Sequence, residues 1–348
     1  MFSIVIPNYN GKEFLEQCLA SILGSRFQVL GSSKIGSGYQ VTGISKSKIK
    51  NQKPETNNLV TEIIIVDNNS SDGSVEFIKS LTSSRVNELK KKKPNSLINN
   101  SLIKLIKNKK NLGFAAGNNI GIRYVLDSGA DYIVVLNNDV IVKNDFLTPL
   151  VSFLEENKEV GVVTPKIYFA PGHEFHKDRY KKNEQGKVIW SVGGTIDWQN
   201  VIASNRGVDE VDKGQYDQET EVDFASGCCL MAPSFIWEKV NFFDERYFLY
   251  YEDSDLCQRV KRAGYKIVYV PGSKIWHLNA GSSQVGGNLH DYFIARNRLL
   301  FGIRWAPWRA KFALLRESLK LLKSGRKWQK IGARDFYLRR FGKGSWGN

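Results

Sequence analysis

Cysteine is scarce in this chain of 348 residues: there are four, Cys18, Cys228, Cys229 and Cys257, with no Cys-x-x-Cys pair. That spacing offers neither a disulfide framework nor a structural zinc site, so buried thiols are expected. Histidine is equally rare, and His173 and His176 stand three apart without forming His-Glu-x-x-His, which reads as loop. No apolar run approaches the roughly 18 residues that a spanning helix needs. The opening Phe2-Ser3-Ile4-Val5-Ile6-Pro7 is too short for a signal peptide and lacks a basic leader, so it reads as a first strand. These absences predict a cytoplasmic chain, free or peripheral on the inner face of the cytoplasmic membrane.

Acidic residues are also in deficit, 35 against 50 Lys and Arg, for a net charge of +15. Such an excess fits a polyanionic partner: nucleic acid, an anionic membrane or a phosphorylated substrate. Its location narrows the meaning. Residues 298–348 hold 14 bases against Glu317 and Asp335, residues 79–110 hold ten against Glu88, and residues 28–58 hold five against Glu55. The rest of the chain is net acidic. The length suits one large or two modest domains, and 42% hydrophobic residues support an ordinary folded core.

Short β-rich runs alternate with helical patterns, the signature of an α/β fold with a mainly parallel sheet. Three buried strands end in polar residues: Ile4-Val5-Ile6 before Pro7, Glu62 to Val66 before Asp67, and Ile133 to Leu136 before Asn137-Asn138-Asp139. Ligands in open α/β sheets sit outside such carboxyl ends. A helix cap and turn account for Asp72 and Ser74 but leave Asp67 as an acceptor for a base N–H or a ribose hydroxyl. Asn111-Leu112-Gly113-Phe114 precedes a helix, where small residues admit a phosphate. Its departure from Gly-x-Gly-x-x-Gly argues against a dinucleotide-binding oxidoreductase. Asp139 offers a hard oxygen ligand for a divalent cation.

Glu252, Asp253 and Asp255 put three acids in four positions after the aromatic run Phe248 to Tyr251. Like charges so close repel unless a cation or substrate separates them. Glu252 and Asp253 are the candidates for a general base. Asp255 stays open between an acceptor contact and a first-turn acid favoured by the helix dipole.

Seven segments in order resemble the inverting glycosyltransferases of family 2, especially bacterial rhamnosyltransferase-like members: Val5 to Asn10, Ile64 to Ser74, Asn111 to Ala115, Leu136 to Asp139, Gly227 to Met231, Glu252 to Leu256, and His277. The resemblance implies a GT-A fold over residues 1–297. Its nucleotide-binding half is 1–140, with inserted loops near 28–58 and 82–100, and its acceptor-binding half is 141–297. Residues 298–348 are expected to form a basic amphipathic extension, packed on the domain or lying in a membrane interface.

The same resemblance implies a transfer from a nucleotide-diphosphate sugar, dTDP-rhamnose or a UDP-sugar, to a hydroxyl of a glycan or lipid-linked acceptor in cell-surface polysaccharide synthesis. Asp253 is implied as the base with Glu252 beside it. Pro7, Tyr9, Asp67, Asn69, Asn111, Gly113 and Asn138 fall on the nucleotide side, with Arg296 and Arg298 on the leaving diphosphate. Gly227, Cys228 and Asp255 fall on the acceptor side. Asp139 and His277 are implied ligands of Mg²⁺ or Mn²⁺. Asn137 stands where Asp-x-Asp has its first acid, which raises a catalytically silent relative as an alternative. A nucleic-acid-binding protein is the rival suggested by charge, but strand-end acids repel phosphates, and no nucleic-acid partner is expected.

Overall fold

The computed structural model describes residues 1–23, 60–89, 103–278 and 286–347. The first half runs β1 (Phe2–Asn8), α1 (Lys12–Leu23), β2 (Val60–Asp67), α2 (Ser74–Leu89), β3 (Ile103–Lys107), α3 (Gly113–Asp127), β4 (Tyr132–Leu136), β5 (Val140–Val142), α4 (Leu147–Glu156) and β6 (Val160–Phe169). The second runs β7 (Ile189–Ser191), β8 (Gly194–Asp197), β9 (Ile202–Asn205), β10 (Thr220–Glu221), β11 (Cys229–Pro233), α5 (Ser234–Val240), α6 (Glu252–Arg262), β12 (Lys266–His277), α7 (Asn288–Trp305), α8 (Trp308–Ser324) and α9 (Lys327–Tyr337). The expected loop near 28–58 lies outside the described residues. Of that near 82–100, residues 82–89 belong to α2, and residues 90–100 lie outside the described residues.

The main sheet has the order β10-β12-β6-β11-β4-β1-β2-β3. Its β4-β1-β2-β3 part is parallel, and β11 enters antiparallel between β4 and β6. Alternation explains why these apolar runs become two-sided strands. Val5, Ile64, Val66 and Val135 feed one core with Ala115, Ile122 and Val125 of α3. Ile4, Ile6, Ile63, Ile65 and Val134 feed the other with Leu15, Cys18 and Leu19 of α1. Successive side chains of a strand point to opposite faces, so only a continuous apolar run fills both layers. Gly121 lets α3 approach β1, since a Cβ there collides with Val5.

The C-terminal segment folds back onto the domain. Leu299 and Phe301 of α7, Ala310 and Leu314 of α8, and Ala333 of α9 all join the first core. The boundary expected at 297/298 falls inside α7, so the basic extension is continuous with a core helix. The four cysteines are buried thiols, and burial is the largest cause raising the pKa of each.

Candidate active site

The register of the parallel strands decides which polar residues meet at the sheet edge. Asn8 pairs with Asp67 across β1 and β2, while the β1–β4 ladder stops at Val5 and Val135. The chain after β4 is thereby free to bend back, and Asn138 Nδ2 donates to Asn8 Oδ1 at 2.7 Å. Asn8 Nδ2 in turn reaches Asp67 Oδ1 and Ser70 Oγ, both at 3.2 Å. Gly11 is required beside this knot, because a Cβ there meets the Asn138 amide. Pro7 is buried, whereas Tyr9 is 51% exposed. Asn69 is exposed at φ 68°.

The start of α3 is built by close approach. Asn111 Oδ1 accepts the Gly113 amide at 2.8 Å, and Asn68 Nδ2 donates to the Gly113 carbonyl at 3.1 Å. Gly113 has φ +83°, and a Cβ there lies 2.5 Å from the Phe248 ring. No other residue type fits that turn without strain. The Phe114 amide donates to the Phe248 carbonyl at 2.7 Å, tying this turn to the segment that leads into α6.

Asp139 and His277 come from opposite ends of the sequence. β5 and β12 pair antiparallel with His277 opposite Val140, which places His277 Nε2 3.1 Å from Asp139 Oδ1. Both residues are buried, and His277 Nδ1 has no hydrogen-bond partner among the described residues. The Trp190 ring packs edge-on against the imidazole at 4.6 Å. A carboxylate and an imidazole with an unsatisfied buried nitrogen form a donor pair suited to a transition-metal or magnesium-like cation. No cluster of three or more such ligands exists among the described residues, so a cation here would need its remaining oxygens from a ligand or water.

The acids open α6 from a strained segment. Phe248, Tyr250 and Tyr251 have φ of 65°, 68° and 70°, conformations that cost non-glycine residues about 1 to 3 kcal/mol each. The segment is held from α7: Asn297 Nδ2 donates to the carbonyls of Tyr247, Leu249 and Tyr250 at 2.8, 2.7 and 2.9 Å. Arg296 adds the carbonyls of Arg246 and Tyr247 at 3.2 and 3.0 Å. Beyond that segment, Asp253 Oδ2 accepts the Gly227 amide at 3.0 Å and Oδ1 accepts the Ser254 amide at 2.6 Å. Burial nevertheless raises the Asp253 carboxyl above its ordinary value. Glu252 is pushed well above its own by burial and by the Asp253 charge, and its buried Oε2 has no partner among the described residues.

Gly227 and Cys228 join the two acidic centres. Gly227 donates to Asp253, and the Cys228 carbonyl accepts the Asn137 amide at 2.9 Å, at the start of the Asn137-Asn138-Asp139 turn.

Several residues expected to contact ligand make internal contacts in this structure. Asp67 is fully buried, and its oxygens accept from Asn8 and from the Ser70 amide at 3.0 Å, so it orders the turn after β2. Asn111 is used on Gly113. Cys228 offers only its backbone, since its thiol is in the core. Asp255 is 0% exposed and accepts from Arg259 Nε, Arg304 Nη1 and Trp305 Nε1 at 2.8, 3.0 and 2.8 Å. It pins α6 to α7. Arg296, also 0% exposed, is consumed by carbonyls and lies over the Phe293 ring at 5.0 Å. Arg298 forms a bidentate pair with Glu317 at 2.7 and 2.9 Å. Asn8, Gly11, Asn68, Trp190 and Asn297 were not anticipated. For Asn8 the signal was present, a polar residue closing a buried strand beside Asp67.

A family model described as Glycosyl transferase family 2 matches residues 46–237, more than half of the chain. Rhamnosyltransferase WbbL of Escherichia coli (strain K12) is 28% identical over 169 residues, covering 47% of this chain and 60% of that protein. The N-acetylglucosaminyl-diphospho-decaprenol L-rhamnosyltransferase of Mycobacterium tuberculosis (strain ATCC 25618 / H37Rv) is 43% identical over 65 residues, 19% of this chain and 21% of that protein. The chain thus spans part of the length of each of these relatives. The mannosyltransferase PcManGT from Pyrobaculum calidifontis, solved in complex with GDP-Man and Mn²⁺, matches with a TM-score of 0.50 at 14% identity. That match covers 100% of this chain and 76% of that one, a likeness of fold. The four-strand parallel edge with β11 inserted antiparallel is a GT-A type sheet, and the family match, over more than half of the chain, takes in the turn after β2, the Asn137-Asn138-Asp139 turn and Gly227: this chain belongs to glycosyl transferase family 2.

Proposed function

We propose that the chain is an inverting glycosyltransferase that moves a sugar from a nucleotide-diphosphate donor to a hydroxyl of a lipid-linked glycan, peripherally at the inner face of the cytoplasmic membrane. The names of the two relatives favour L-rhamnose as the sugar, with dTDP-rhamnose as the donor and a UDP-sugar as the second choice. The product belongs to cell-surface polysaccharide. The observation that carries the reading is the bridge through Gly227 and Cys228, which sets a part-buried carboxylate, Asp253, against the turn bearing Asp139.

Asp253 takes the proton of the acceptor hydroxyl as its oxygen bonds to the anomeric carbon and the bond to the diphosphate breaks. The electron pair leaves with the nucleoside diphosphate, and one displacement inverts the centre without a protein nucleophile. Burial suits Asp253 to this, since a carboxylate of raised pKa is a stronger base. The Gly227 amide and Ser254 aim it, and Gly227, where a Cβ would meet the Phe114 ring, lies with Cys228 on the acceptor side. Tyr9, Asn69, Asn138 and the Gly113 turn face the nucleotide, with Pro7 setting the strand end beneath them. Asp139 and His277 would hold a divalent cation, Mn²⁺ or Mg²⁺, which would supply positive charge against the leaving diphosphate.

The test is release of nucleoside diphosphate from dTDP-L-rhamnose and from UDP-sugars, with a polyprenyl-diphosphate-linked N-acetylglucosamine as acceptor. Acceptor-dependent release with inversion, read by NMR, is expected. Donor binding without any release in the presence of Mn²⁺ assigns the chain to the catalytically silent alternative.

A further inference from the structure

Helix α8 has two apolar faces, and the core uses one. Ala310, Leu314 and Ser318 are buried against α7 and α9. On the other side stand Trp308, Phe312 and Leu319, exposed by 65%, 68% and 60%, the three most exposed large apolar side chains among the described residues. At about 100° per residue they fall within roughly 40° of one another, a single stripe along the helix. The Trp308 and Phe312 rings contact edge-to-face at 6.2 Å, so the stripe begins in an ordered aromatic pair.

The charges beside the stripe are of one sign. Arg309, Lys311, Arg316, Lys320 and Lys323 lie on α8, and none pairs with a carboxylate among the described residues. The helix has one acid, Glu317, and Arg298 holds it. The Arg309 guanidinium rests over Trp308 at 5.2 Å. Patches that stay apolar in water mark contact surfaces. A second copy of the chain seated here sets unpaired cations against unpaired cations, which like-charge repulsion opposes. An anionic bilayer satisfies both features: the aromatic and leucine side chains enter the headgroup boundary while the bases meet lipid phosphates. No helix among the described residues is long and apolar enough to cross a membrane.

We infer that α8 is an interfacial docking helix, seated on anionic phospholipid through Trp308, Phe312 and Leu319 with its basic flank on the headgroups. The inference gives the proposed peripheral location a surface but does not depend on the catalytic reading, because vesicle binding is measured without substrate.

The experiment is cosedimentation of the full chain with phosphatidylcholine vesicles with or without phosphatidylglycerol, at low and high salt. Binding is expected to need phosphatidylglycerol and to weaken about tenfold or more at high salt, where charges are screened. Trp308→Ser combined with Phe312→Ser lowers the partition about tenfold or more, with circular dichroism and thermal melting retained. Phe235→Ser, an exposed aromatic on α5, leaves it unchanged. Equal partition of wild type and double variant, or indifference to phosphatidylglycerol, overturns the proposal. So does self-association, or retention of RNA in a gel, that the double variant abolishes while vesicle binding is absent; those outcomes assign the face to a second copy or to nucleic acid.

Discussion

Asp253 Oδ2 accepts the backbone amide of Gly227 at 3.0 Å, while Asp255, two residues later, turns into the interior toward Arg259 and Arg304. Asp253→Asn is expected to lower turnover about 10²- to 10⁴-fold, the range of a lost general base, with donor affinity by calorimetry within a few-fold of wild type. Asp255→Asn removes the counter-charge of Arg259 and one of the two carboxylates at Arg304, whose other is Asp244, and is expected to cost about 3 kcal/mol of stability. A variant at Asp253 that turns over normally removes the base assignment.

The pH dependence follows from burial. Asp253 works ionised, and its carboxyl is raised above the ordinary 3.8, so kcat/KM is expected to fall on the acid side at a pH above that value. Glu252 is raised well above 4.5. The native state therefore holds its proton more tightly than the unfolded chain, and stability falls as pH rises from about 4.5 through the native value. Glu252→Gln removes that loss. Its melting temperature relative to wild type should climb with pH over this window, and a pH-independent difference would contradict a buried, preferentially protonated Glu252.

His277 and Asp139 are the two protein ligands offered for the cation. Replacing His277 with Ala is expected to raise the Mn²⁺ concentration for half-maximal turnover tenfold or more, about 1.4 kcal/mol of binding. Folding, followed by circular dichroism without metal, should be kept. An identical Mn²⁺ titration for the variant would count against the pair.

Asn297 satisfies three carbonyls of the left-handed segment before α6. Asn297→Ala takes this donor from the Leu249 and Tyr250 carbonyls while Tyr247 keeps Arg296 Nη2, at about 1 to 3 kcal/mol for each group left unsatisfied. A fall in melting temperature is expected together with a fall in kcat that exceeds any change in donor affinity, because the segment aims Asp253. Stability loss with kcat preserved would make the clamp purely structural.

Gly113→Ala tests the joint between the two halves. With φ at +83° and Phe248 at 2.5 Å from the added Cβ, the substitution is expected to destabilise by about 1 to 3 kcal/mol and to weaken nucleotide binding in the same preparation.

The linear sequence by itself determined the layers of this protein. Continuous apolar runs such as Ile63 to Val66 must be buried on both faces, so a parallel sheet between helices follows, and polar residues closing those runs mark the functional edge. Glu252-Asp253 was legible for the same kind of reason, since adjacent acids after an aromatic run are costly without a purpose. Tertiary structure alone decided which charges face that edge. Asp255, Arg296 and Arg298 carry the residue types of a site, yet helix phase and the packing of α7 set Asp255 against Arg259 and Arg304, Arg296 against backbone carbonyls, and Arg298 against Glu317. Conversely, Asn8 and His277 gain their roles from strand register, which brings them to Asn138 and Asp139 across 130 and 138 residues of sequence separation. Charge composition told how many cations the chain has. Only the fold shows that those on α8 line an uncovered apolar stripe, because the side of a helix that a core leaves open is set by what packs against its other face.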